Sequence, residues 1–193
     1  EILNSATEHT GQSTFGVKQT CAYSAAYGSL LKMLFDTMIR RKNEPNVLGA
    51  TLSTLDTLVS KSPTDCNETT LKFFDGVFNH LQATLKNMNS NVLDLVRNEL
   101  QLMICVIQQR WMAACLQGSG NARCDTLVKT LLAILTNPKL GISEDAVVAL
   151  GSIATRVNTH FIKYMDPVHQ LIQSGFSGSS DVTLCIVDLV SDV

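Results

Sequence analysis

Residues 65–87 read DCNETTLKFFDGVFNHLQATLKN. Leu71, Phe74, Phe78, Leu81 and Leu85 are spaced 3, 4, 3, 4, and Glu68, Lys72, Asp75, Asn79, Gln82 and Lys86 are spaced 4, 3, 4, 3, 4. Both spacings follow a turn of 3.6 residues, so one helix carries an apolar stripe and a polar stripe side by side. Asp65 can cap its start, and Glu68 can reach back as the second half of a capping box. Asn67-Glu68-Thr69 matches a glycosylation sequon and is read here as part of that helix start. Such a helix buries its stripe only against neighbours, and the neighbours repeat.

An apolar residue, another three on and another four beyond appear as Leu52, Leu55, Val59 and again as Leu100, Met103, Ile107. They return as Leu150, Ile153, Val157 and as Ile186, Leu189, Val193, at offsets of 48, 50 and 36. These offsets lie in and around the range of two-helix HEAT or armadillo units. Helical segments are expected at 21–41, 46–61, 65–87, 91–116, 122–137, 144–159, 166–176 and 180–193, separated by Pro-, Gly- and Asn-rich breaks. Asp166 suits a cap and Pro167 the first helical position. A second helix follows each of the first three copies. The expected fold is all-α, an α-α superhelix (solenoid) of about four HEAT-type antiparallel helix pairs. Residues 1–20, polar and aperiodic, are expected to form a loop or frayed lead-in, and 21–193 a repeat array truncated at both ends.

Composition agrees. The 193 residues are 45% hydrophobic and 17% charged, with aromatics at 6%, a supply suited to helix–helix cores. The net charge of −2 is scattered, so no basic field draws in a nucleic acid. The basic run Arg40-Arg41-Lys42 falls in the last turn of a helix, where cations meet the negative dipole end. No apolar run reaches membrane-span length. Six cysteines at 21, 66, 105, 115, 124 and 185 form no CxxC pair and look like reduced core residues. No nucleophile motif or phosphate loop is present. His160 and His169 lack metal-pair spacing, so no metal or cofactor is expected. Trp111 sits in an apolar context and is read as core. An enzyme using Cys105, Cys115 or Cys124 is the weakest reading, because nothing in the spacing asks for one.

A solenoid grows in one direction and offers a long surface with little enclosed volume, which suits binding a partner. First helices should line the convex side and second helices the concave side. The stretch from Ser143 to Phe176, SEDAVVALGSIATRVNTHFIKYMDPVHQLIQSGF, narrows the reading. Its Glu144-Asp145-Ala146 opening resembles the start of an outer helix in importin-β proteins. Phe161-Ile162-Lys163-Tyr164-Met165 is similar to their turn into the inner helix. Residues 182–193 resemble the next outer helix, and 48–85 resemble an earlier repeat more loosely.

The resemblance implies a nuclear import receptor, an excised middle piece of something longer, present in cytoplasm and nucleus and at the nuclear pore. Its partners would be importin-α or a cargo protein on the concave face, Ran-GTP, and FG-nucleoporins on the convex face. It implies no enzyme, nucleic-acid or membrane-insertion role. Val148, Leu184 and Val187 lie off the core stripes of two outer helices and are the expected Phe-Gly pocket. Glu68, Asp75, Asn79, Asp125 and Lys129 are the expected adaptor or cargo surface, since a basic helix would want acidic and amide groups there. The alternative is another HEAT scaffold, of the phosphatase or vesicle-coat adaptor type.

Overall fold

The computed structural model describes residues 25–62, 66–117, 121–137 and 140–173. Helix α1 spans 25–40. It is followed by α2 (Pro45–Ser60), α3 (Asn67–Lys86), α4 (Leu93–Ile107), α5 (Met112–Gln117), α6 (Asn121–Leu135), α7 (Ser143–Val157) and α8 (Met165–Gln173). Every described element is helical or a turn. The expected segment 180–193, the lead-in 1–20 and the fourth stripe Ile186, Leu189, Val193 lie outside the described residues.

The helices sort into two layers. First helices α2, α4 and α7 pack side by side in chain order, and each second helix lies against the first helix of the following pair, α3 on α4 and α6 on α7. First helices begin at 45, 93 and 143, so successive starts differ by 48 and 50 residues. That register is the one the apolar stripes carry. The all-α solenoid is thus realised, with three pairs and the flanking α1 among the described residues. Helix α1 lies beside α3. Phe35 meets Phe73 edge-on at 5.8 Å, and the Tyr27 hydroxyl reaches Thr70 on α3 and the Leu58 carbonyl on α2. A Cβ on Gly28 would stand 2.8 Å from Thr69 Cγ2, so glycine allows the two helices to approach this closely.

The stripes are the core. Leu55 and Val59, then Leu100, Met103 and Ile107, then Leu150, Ile153 and Val157 are all buried, as are Phe74, Phe78 and Leu81 of α3. Cys66 and Cys124 are buried free thiols, Cys105 and Cys115 are half-buried free thiols, and Trp111 packs partly buried against the core.

Three local expectations need correction. The described part of α3 begins later than expected, at Asn67 with Cys66 at the cap and no side-chain cap bond from it, and Glu68 turns to Lys72 at 2.7 Å; Asp65, the expected cap, lies outside the described residues. The segment 91–116 is two helices. Helix α4 stops at Ile107, and the Ile107 and Gln108 carbonyls accept hydrogen bonds from the Arg156 guanidinium of α7. These end carbonyls have no partner in their own helix, and a cation there also meets the negative end of its dipole. Met112 and Leu116 of α5 then turn inward. Last, α8 starts at Met165, two residues before Pro167, because a 3-10 helix from Asn158 to Tyr164 leads straight into it. Pro167 still falls in the first turn, where its missing N–H forfeits no bond.

Candidate binding surfaces

The polar stripe of α3 faces α6, and the two are bonded across the pair-to-pair seam. Arg123 donates to both carboxylate oxygens of Asp75, at 2.8 and 2.9 Å. About two turns further on, Gln82 Nε2 donates to Thr130 Oγ1 at 3.2 Å. Asp125 is engaged from the other side. Lys163 donates to it at 2.8 Å, and the Tyr164 hydroxyl donates to the same oxygen. The ammonium, then the hydroxyl, hold the Asp125 carboxyl below the usual carboxylate range. Lys163 also lies 4.7 Å over the Tyr164 ring, and Tyr164 packs edge-on against fully buried Phe161. The segment 161–165 is therefore a clamp: Phe161 anchors it in the core while Lys163 and Tyr164 grip the preceding second helix.

The five residues expected to form an inner surface thus occupy the second-helix layer in different states. Asp75 and Asp125 are half-buried and already paired with cations. Glu68 is exposed in a pair within its own helix, and Asn79 and Lys129 are exposed.

The first-helix layer carries a groove of about 450 Å³ between α2, α4 and α7. Leu52, Ile104 and Val148 supply its apolar lining, with Asp56, Gln101 and Cys105 beside them. Val148 is 46% exposed. Leu184 and Val187 lie outside the described residues. Leu52 belongs to the first apolar stripe, yet it is only partly buried and turns toward this groove. Burial first, then the neighbouring Asp56, pushes the Cys105 thiol up to about 12. It is protonated near neutral pH, the wrong state for a nucleophile. Among the described residues no cluster of His, Cys, Asp and Glu could hold a metal ion, and no helix is long and apolar enough to cross a membrane.

One contact between titratable groups was not anticipated. Glu99 is fully buried on α4, hydrogen-bonded to His80 Nδ1 of α3. The signal was present, because Glu99 falls three residues after Val96 and four before Met103, on the inward stripe of α4.

A family model described as importin subunit beta-1-like, TPR repeats, matches residues 2–193. The chain belongs to this importin-β-like family. No solved structure matches it. The importin-β-like repeats are a protein-binding scaffold and transport family, which accords with two long helical layers. Within this member, helix pairs recur at 48 and 50 residues, longer than the 34 of a tetratricopeptide unit and near the HEAT length. The stretch that resembles importin-β proteins most closely, 143–176, contains both Arg156, which caps α4, and the 161–165 clamp. These residues join consecutive importin-β-like pairs.

Proposed function

We propose that the chain is a slice of a nuclear transport receptor. Its first-helix layer takes Phe-Gly repeats of nucleoporins. Its second-helix layer takes importin-α or a cargo protein, and Ran-GTP is the partner that empties it. The protein would move between cytoplasm and nucleus through the pore.

The groove around Val148 supports this reading most directly. It offers aliphatic walls from three consecutive first helices and a neutral thiol. An aromatic side chain buried there loses contact with water on most of its surface. The rim is open at Gly49, where an added Cβ would meet nothing within 4 Å, so an extended backbone can pass over it. Leu184 and Val187, on the next expected first helix, would extend the surface. On the opposite layer Glu68 and Asn79 are accessible to a basic adaptor helix. Asp75 and Asp125 would serve it by exchanging Arg123 and Lys163 for the partner's cations, which retains a paired carboxylate before and after binding.

Titration of a Phe-Gly peptide into the chain tests the groove. Val148→Glu puts a charge on the apolar lining at an exposed position that does not support the core. It should weaken binding at least about fivefold. Equal affinity for both proteins would remove the groove from the reading.

A further inference from the structure

A second groove, of about 560 Å³, runs between α3 and α6 on the second-helix layer. Gln82, Leu85, Lys86, Lys129, Ile134 and Leu140 are among its lining residues. Ile134 is buried at its base, and Leu85 and Leu140 are half-buried. Lys86 and Lys129 are exposed.

The two lysines differ from the other cations of this layer. Lys72, Arg123 and Lys163 each have a carboxylate within 4 Å. Among the described residues, Lys86 and Lys129 make no such ion pair. Asp125, one turn before Lys129, is held by Lys163 and Tyr164. The polar wall is also satisfied internally: Gln82 donates to Thr130, and Thr130 donates to the Thr126 carbonyl. Helices α3 and α6 both end near this groove, and each end contributes about half a negative charge. Two ammonium groups exceed that by about one charge, so the groove keeps a net positive field over an apolar floor.

We propose that this groove binds an acidic amphipathic segment of a partner protein. An apolar side chain of the segment rests on Leu85, Ile134 and Leu140, and flanking carboxylates meet Lys86 and Lys129. A phosphate backbone or free anion would match the lysines and leave the apolar floor wet. A basic amphipathic helix would match the floor but be repelled by the lysines. The proposal rests on this groove alone and does not require the transport reading, whose adaptor contact has the opposite charge.

The test is fluorescence anisotropy with the whole 193-residue chain. The probes are two labelled helical peptides of about 14 residues, or four turns. They share one leucine spacing, and one carries Glu and the other Lys at the polar positions. The Glu peptide should bind, and more weakly as salt is raised. Lys86→Glu combined with Lys129→Glu should weaken it at least about tenfold. Ala133→Trp, which fills the groove from an exposed position and leaves both lysines in place, should weaken it as well. Circular dichroism identifies any variant that has lost its helices. Equal affinity for the two peptides, no binding of the Glu peptide at millimolar concentration, or full affinity in both folded variants would overturn the proposal.

Discussion

Glu99 is a carboxyl group with no exposed surface, set against His80 in the seam between α3 and α4. Burial pushes its pKa up from 4.5 to about 8. Burial, then Lys42, pushes the His80 imidazole down from 6.5. Both shifts favour neutral partners, with the Glu99 O–H donating to His80 Nδ1. Glu99 Oε2, buried with no hydrogen-bond partner among the described residues, favours the neutral acid further. The raised pKa of Glu99 adds stability that is complete below pH 4.5 and lost as pH rises through about 8. The lowered pKa of His80 acts oppositely, removing stability as pH falls below 6.5. In the lower window the unfolded chain also holds one proton, on the histidine, and the two effects offset each other. Between pH 6.5 and about 8 only the folded pair keeps its proton. Stability should fall there by about 1.4 kcal/mol per pH unit. Glu99→Gln keeps the shape and a donor, and should flatten the slope. Urea midpoints at the two ends of that window give the answer, and an equal decline in the variant would show that other groups titrate. The stripe period was enough to place Glu99 inward, although Glu99 was not singled out beforehand. Its partner was not legible, because His80 lies on a different helix and periodicity carries no register between helices.

At the scale of the element, single-helix features were legible and seams were not. The 3-4 spacing located α2, α3, α6 and α7 to within a few residues because a helix is a local structure. The end of α4 was missed for a nonlocal reason: no Gly or Pro marks 108–111, and the cap comes from Arg156, 49 residues after Ile107. The expected adaptor face shows the same limit. Asp75 and Asp125 are expected on a partner-binding face, and their pairing is not visible in the stripe because Arg123 and Lys163 are 48 and 38 residues away. The Asp75–Arg123 pair is bidentate, which favours it, but both side chains are part-exposed and screened. A double-mutant cycle with Asp75→Ala and Arg123→Ala should return a coupling of about 0.5–1 kcal/mol, shrinking in high salt. A value near zero would mean the second helices are held in place by packing alone. A value several times larger would mean the pair is shielded far better than its exposure indicates.

At the scale of the whole molecule, the repeat was legible because its register of 48 to 50 residues is written in the stripes Leu55–Val59, Leu100–Ile107 and Leu150–Val157. Such an array lacks a common centre. Each pair touches only its neighbours, so stability is a sum of local and nearest-neighbour contributions. Ile153 lies fully buried in the second half of α7, which packs on α4 and α6. Ile153→Ala removes three carbons and leaves a cavity, at a cost of roughly 2–4 kcal/mol. In a two-state domain with one core, that loss would lower the protection of every slow-exchanging amide alike. In this array it should be graded. Amides of α7 and α8 should exchange fastest relative to the parent protein, those of α4 and α6 less so, and those of α1 and α2 nearly unchanged. Leu55→Ala in α2 should reverse the gradient, sparing α7 and α8 and exposing α1 to α4. Hydrogen exchange read by mass spectrometry on both variants separates the alternatives. A uniform loss from residue 25 to 173 in each would mean that the pairs fold as one cooperative unit. The second-helix ion pairs and the Arg156 cap would then bind the array more tightly than neighbour-by-neighbour stacking requires.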